Sequence, residues 1–123
     1  MAPGLAVGLQ FLFVVSTAFV YHAGTVNLLD LTLSTPAENL AADEALLDER
    51  EATAGEPVLR LWESPEHFVV VGYSNRVGTE VNEPACRARG IPILRRCSGG
   101  GTVLQGPGCL NYALCCGSAR RAR

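Results

Sequence analysis

The chain contains no lysine: all ten of its basic residues are arginine. Every permanent side-chain cation is therefore a planar guanidinium, a shape suited to carboxylate and phosphate. Acidic residues are missing from the second part, since the last of the twelve is Glu83. Beyond it come Arg87, Arg89, Arg95, Arg96, Arg120, Arg121 and Arg123, with no acid. The net charge of −2 thus joins an acidic front to a basic back. Aromatic residues are scarce, and only Tyr112 lies near the basic, glycine-rich segment. A nucleic-acid surface would interleave its basic residues with aromatics, so the basic half points to a small anion and not to nucleic acid. The five cysteines (Cys86, Cys97, Cys109, Cys115 and Cys116) include no C-x-x-C pair. His22 and His67 lie far from them in sequence. That spacing argues against a zinc site or any other metal centre and leaves free thiols in a reducing compartment.

What is present supports one small folded domain. A hydrophobic fraction of 48% excludes a disordered chain, and 123 residues allow a single modest core. The first 24 residues contain no charged side chain, and Phe11 to Val20 is strongly apolar. A secretory leader would use Ser16-Thr17-Ala18 for cleavage, but no basic n-region precedes it. A membrane anchor is diluted by Gly4, Gly8, Gln10 and His22 and lacks flanking charge. The regular pattern begins at Val26, so residues 1–24 are expected to be an extension outside the fold. A cytoplasmic protein with no membrane partner is expected with it. A genuine leader would make the protein membrane-associated or secreted instead.

Val26 to Leu33 reads as a strand, with Leu28, Leu29, Leu31 and Leu33 available for burial. Thr35, Pro36 and Glu38 spell a capping box at a helix start. Leu40, Leu46 and Leu47 supply that helix's buried face, and Asp43, Glu44, Asp48, Glu49 and Glu51 a solvated acidic one. Val58–Trp62 and Phe68–Gly72 read as a hairpin across Ser64-Pro65-Glu66. A loop through Tyr73–Arg76 leads to a short helix capped by Asn82 and stopped by Gly90. Ile91–Arg95 reads as a strand, as do Thr102–Leu104 and Leu110–Leu114 around Gly106-Pro107-Gly108. The order β-α-β-β-α-β-loop-β-β suggests an α/β (α+β) fold, a mixed sheet with packed helices.

Arg95-Arg96-Cys97-Ser98-Gly99-Gly100-Gly101 is the segment that carries chemistry. Glycines let a ligand approach the main chain, and successive backbone N–H groups can form an anion-binding nest. Two guanidinium groups add charge, so the loop suits a phosphate or carboxylate ligand. The plain alternative is a flexible turn with two solvated arginines. Neighbouring positive charge would lower the Cys97 pKa and make it a weak candidate nucleophile.

The stretch from Val26 to Leu114 resembles the first half of the lipoate–protein ligase A/B and biotin-ligase catalytic domain. RRCSGGGTVLQGPGCLNY, residues 95–112, is similar to the family's RRxSGGG motif and the strand-turn-strand after it. Ala37–Leu46 resembles its first helix. Leu59–Trp62, then Val69–Gly72 with Asn75, resembles its next strands and loop. The resemblance implies an incomplete biotin-ligase-like sheet. It implies attachment of lipoate or octanoate to a lysine of a lipoyl domain, through an acyl-adenylate made with ATP and Mg²⁺. Arg95 and Arg96 would then lie near the adenylate phosphate. Ser98, Gly99, Gly100 and Gly101 would line the ligand, and Gly72 and Asn75 would shape the acyl pocket. The RRxSGGG form leans toward lipoate or octanoate over biotin.

Two departures bear on activity. Many such ligases follow the glycines with His-Asp, where this chain has Gln105-Gly106. This weakens a ligase assignment against an octanoyltransferase, whose catalytic cysteine lies downstream; the catalytic residue is therefore unassigned. The family's ligand-binding lysine lies in the second half of the domain, and this sequence has no lysine. Residues 115–123, CCGSARRAR, do not resemble the family and look like translation of GC-rich DNA in another frame. The expectation is an apolar extension at 1–24 (a leader or a mis-called start being the alternatives), a half-domain at 25–114 and a foreign tail at 115–123, in a truncated and inactive member. The alternative is a non-catalytic interaction protein completed by a partner chain.

Overall fold

The computed structural model describes residues 8–9, 25–53 and 55–117. The apolar stretch Phe11–Val20 and the last six residues lie outside the described residues. The elements are β1 (Gly8–Leu9), β2 (Asn27–Asp30), α1 (Pro36–Thr53), β3 (Val58–Glu63), β4 (Phe68–Val71), α2 (Val77–Glu80), α3 (Glu83–Ala88), β5 (Ile93–Arg95), β6 (Val103–Gln105) and β7 (Cys109–Cys115). They form a four-stranded sheet in the order β1-β7-β3-β2 and a three-stranded sheet in the order β5-β4-β6. Both sheets mix parallel and antiparallel pairs.

The capping box folds as its spelling requires. Thr35 N–H donates to Glu38 Oε2 at 3.0 Å, and Glu38 N–H donates to Thr35 Oγ1 at 3.2 Å. Two orphan amides of the first turn are thereby satisfied reciprocally. Thr35→Ala is expected to cost about 1 kcal/mol, read as a lowered midpoint in urea unfolding. At the second helix start, Asn82 Oδ1 accepts from Ala85 N–H at 3.1 Å. Gly90, at φ +64°, stops α3.

The expected hairpin of Val58–Trp62 with Phe68–Gly72 does not form. β3 pairs with β2 and β7 in one sheet, while β4 pairs with β5 and β6 in the other. The link Ser64–His67 therefore passes between sheets, and so does the Gly106-Pro107-Gly108 turn between β6 and β7. Ser64 Oγ fastens the first link by donating to the Glu66 carbonyl at 2.7 Å. The two sheets meet where Trp62 of β3 stacks on Phe68 of β4, their ring centroids 6.2 Å apart. Val70 completes this cluster, with Leu40, Leu94 and Val103 packed around it. The opposite face of β4 sends Val69 and Val71 against Cys86 of α3, with Val77, Val81, Ile91 and Ile93 alongside. Every residue of β4 is buried, as a strand covered on both faces requires.

Two expectations about burial are corrected. Leu28 is 65% exposed and Leu31 40%, because β2 is the outer strand of its sheet. Register places Leu28 beside Leu59 and Leu59 beside Leu114, a leucine row on the face turned away from α1. On α1 itself, Leu40, Leu46 and Leu47 are only half-buried, while Asn39 and Asp43 are buried. Asp43 does not belong to the solvated acidic face. It accepts from the fully buried Arg60 at 2.7 Å and from Trp62 Nε1 at 3.0 Å.

Candidate functional site

β4 and β5 run parallel, with Val71 beside Arg95. Their C-terminal ends therefore deliver two loops to the same edge, residues 72–76 and residues 96–102. The loops are fastened to each other. Tyr73 N–H donates to the Ser98 carbonyl at 2.9 Å. Asn75 Nδ2 donates to the Gly100 carbonyl at 2.8 Å and to Thr102 Oγ1 at 3.3 Å. Thr102 Oγ1 in turn donates to Glu80 Oε2 of α2. A side-chain carbon on Gly72 would stand 2.3 Å from the Gly100 oxygen, so only glycine permits this approach. Gly100 itself sits at φ +103°.

The structure brings together all eight residues expected from sequence: Gly72, Asn75, Arg95, Arg96, Ser98, Gly99, Gly100 and Gly101. It also gives the two arginines scaffold contacts that sequence reasoning did not foresee. Arg95 Nη1 donates to the carbonyls of Gly72 (2.8 Å), Tyr73 (3.0 Å) and Asn75 (2.8 Å). Arg96 Nε and Nη2 donate to the Gly99 carbonyl at 3.2 and 2.9 Å, and Nη2 also to that of Gly101 at 2.7 Å. Both guanidinium groups brace the loops through these carbonyls; Arg96 is buried, and Arg95 stays exposed to solvent.

Some capacity is left over. Arg96 and Ser98 are both buried, yet Arg96 Nη1 and Ser98 Oγ have no hydrogen-bond partner. Such atoms cost free energy unless a ligand or water satisfies them. Burial lowers the Arg96 pKa from its ordinary value. Gly99 and Gly101 face open space, where a side-chain carbon would meet nothing within 4 Å. Packing does not require glycine at either position. A cleft of about 200 Å³ lies between α1 and the end of β5, and reaches the loop at Arg96 and Cys97. Ala37, Leu40, Ala41 and Glu44 line one wall, and Leu94, Arg95, Arg96 and Cys97 the other. The first wall is mainly apolar, and the second carries the guanidiniums.

Cys97, Cys115 and Cys116 are each held away from the reactive thiolate form. Burial and the nearby Glu44 carboxylate raise the Cys97 pKa, with Asp43 and Asp48 contributing. This reverses the sequence expectation, because burial disfavours the thiolate and the carboxylates of α1 add to that effect. Burial pushes the Cys115 thiol up to about 11, with Asp43 adding to it. Cys116 is raised by burial as well. Glu44→Gln is expected to speed Cys97 alkylation by iodoacetamide at neutral pH by about threefold, read by peptide-resolved mass spectrometry. An unchanged rate would mean that Glu44 does not govern this thiol. Among the described residues, no group of three or more His, Cys, Asp and Glu is placed to hold a metal ion. None of the described helices is long and apolar enough to cross a membrane.

The chain is similar in sequence and in fold to known proteins. A chain of Aeropyrum pernix assigned to lipoate-protein ligase A is 42% identical over 87 residues, covering 71% of this chain and 32% of its own length. Octanoyltransferase LipM of Moorella thermoacetica is 35% identical over 82 residues, covering 67% of this chain and 30% of its own. Among solved structures, lipoate-protein ligase A bound with ATP superposes with a TM-score of 0.63 at 30% identity, covering 76% of this chain and 36% of that one. A structure from Thermoplasma acidophilum, of a bi-partite lipoate protein ligase and its E2 lipoyl domain, gives 0.63 at 28% identity over the same shares. The chain thus spans about a third of the length of the relatives it matches. The family model of the lipoyl protein ligase A/B catalytic domain matches residues 35–123. On its fold, its glycine loop and that match, the chain belongs to the lipoyl protein ligase A/B catalytic-domain family.

Proposed function

We propose that this chain holds an acyl-adenylate, lipoyl or octanoyl, and serves the attachment of that acyl group to a lysine of a lipoyl domain. The observation that carries this reading is the pair of buried, unpartnered polar atoms, Arg96 Nη1 and Ser98 Oγ, beside glycines that packing does not require. A phosphoryl or carboxyl oxygen would satisfy both. The open glycines would admit the adenylate to the main chain, and the apolar α1 wall of the cleft would take the acyl chain. ATP supplies the activation, turning the acyl carboxylate into a mixed anhydride with loss of pyrophosphate. The donor set at the loops fits a nucleotide phosphate. The described residues include no donor cluster for Mg²⁺, and no step is assigned to it. We further propose that the 123 residues alone hold the ligand and transfer little acyl group. They contain no lysine to pair with the adenylate. A cytoplasmic setting with reduced thiols suits this role.

The test pairs two variants with titration calorimetry, using octanoyl-sulfamoyl-adenosine as an unreactive acyl-adenylate. Gly99→Ala and Gly101→Ala are expected to melt like the native chain and to lose binding by about tenfold or more. Native binding in both variants would overturn the reading. An octanoyltransferase, the alternative within the family, would instead take octanoyl-carrier protein without ATP.

A second reading is favoured by the leucine row. Leu28, Leu59 and Leu114 present an apolar strip that no described helix covers, with Leu28 and Leu114 exposed. It fits a non-catalytic interaction protein completed by a partner chain. Sedimentation of the native-source protein as a monomer that modifies lipoyl domains would exclude it.

A further inference from the structure

We infer that the buried network of Asn39, Asp43, Arg60 and Trp62 is a positioning device for the cleft, an inference that rests on the ligand-binding reading above. Arg60 is fully buried in β3, and both of its Nη atoms bond to the first two turns of α1, while its Nε has no hydrogen-bond partner. Nη1 donates to the Asn39 carbonyl at 2.8 Å and to Asp43 Oδ1 at 2.7 Å, and Nη2 to Asn39 Oδ1 at 2.6 Å. Trp62 Nε1 takes the other Asp43 oxygen at 3.0 Å. Asn39 also grips the segment leading into the helix. Its Nδ2 donates to the carbonyls of Leu33 (3.1 Å) and Thr35 (2.9 Å), and its Oδ1 accepts from Leu33 N–H at 2.8 Å.

Apolar packing tolerates small rolls and slides of a helix, whereas directional bonds to a planar fork do not. Two carboxylate oxygens, one carbonyl and one amide oxygen fix the roll of α1 on its sheet. The adjacent stripe of the same turns (Ala37, Leu40, Ala41 and Glu44) is a wall of the cleft. The facing wall hangs from β5, in the other sheet. The width of the cleft is therefore set by how α1 is held to β3. A buried ion pair is a poor source of net stability, and its best-attested use is to specify one arrangement. In this chain the arrangement specified is the gap between Leu40 and the arginine–glycine loop.

A merely structural network would be replaceable by apolar residues of similar volume, and a positioning network would not. The decisive variant is the double change Asp43→Leu with Arg60→Met in the full chain. Thermal unfolding, hydrogen exchange and affinity for octanoyl-sulfamoyl-adenosine are measured together. The expected result is melting close to native, exchange in residues 37–44 faster by about tenfold, and affinity weaker by about tenfold or more. Native exchange and native affinity in a well-folded double variant would overturn the inference. Arg60→Lys, which keeps the charge and loses the fork, is the second variant if the double one does not fold. It is expected to weaken binding by a similar factor, and unchanged binding would overturn the inference. If the native chain does not bind the analogue, the ligand reading fails. The exchange measurement then still decides whether the network fixes α1.

Discussion

Gly72→Ala is expected to lower the melting temperature by roughly 15 °C, from a loss of about 3 kcal/mol at the upper end of overpacking costs. The added carbon would meet the Gly100 carbonyl oxygen at 2.3 Å, and its carbon at 3.2 Å. Both are backbone atoms, so no side-chain rotation relieves the clash. Gly100 cannot retreat easily. Asn75 Nδ2 holds its oxygen at 2.8 Å, and its φ of +103° is open only to glycine. Arg95 holds the Gly72 carbonyl from the other side at 2.8 Å. Separating the two loops would break these bonds and open the cradle. Circular dichroism melts of Gly72→Ala beside Gly99→Ala test this directly, since position 99 faces open space. Equal melting of the two variants would contradict the junction described above.

Arg60→Met alone is expected to cost about 3–5 kcal/mol, because it strands the Asp43 carboxylate in the interior. Small domains have about 5–15 kcal/mol in total, so much of the chain's stability would go. Adding Asp43→Leu should restore most of it. The pH dependence has a definite sign. Burial raises the Asp43 pKa above its ordinary 3.8, against the lowering effect of Arg60 and the Trp62 hydrogen bond. The folded chain therefore binds this proton more tightly than the unfolded chain does. The contribution of Asp43 to stability is greatest below pH 3.8, falls as pH rises through the folded value, and is level above it. Asp43→Asn should remove that falling component from urea unfolding followed across acid pH. A profile identical to native would show that Asp43 titrates alike in both states.

Local signals in the sequence were read correctly, and long-range ones were not. Thr35 and Glu38 satisfy each other across three residues, so the capping box is visible in one short window. Asn82 and the Gly90 stop are equally local. The expected membership in the lipoate–protein ligase A/B family and the mixed α/β fold are likewise found. Asp43 was misplaced because its partner Arg60 lies 17 residues away on another element. On a helical wheel, an acid among Glu44 and Asp48 looks solvated until that partner is placed. The hairpin across Ser64-Pro65-Glu66 is not formed, because a three-residue turn between two apolar runs looks the same in sequence whether it closes a ladder or changes sheets. Only the pairing of β3 with β7 and of β4 with β5 and β6 separates the cases. The short helix Val77–Glu80 was missed, for four residues carry no periodicity to read. Arg95 and Arg96 were identified from the motif, but their carbonyl contacts depend on the loop folding back, which spacing does not reveal.

The central claim is that residues 72–76 and 96–102, with the first turns of α1, form one ligand cradle. Two-dimensional NMR of the labelled chain, titrated with octanoyl-sulfamoyl-adenosine, tests it most directly. The account predicts saturable shifts in Gly72, Asn75, Ser98, Gly99, Gly100 and Gly101, and in Ala37, Leu40 and Ala41. Little change is predicted at the leucine row of Leu28, Leu59 and Leu114. A folded chain whose loop resonances stay unmoved at saturating analogue, or whose shifts gather on the leucine row, would contradict it.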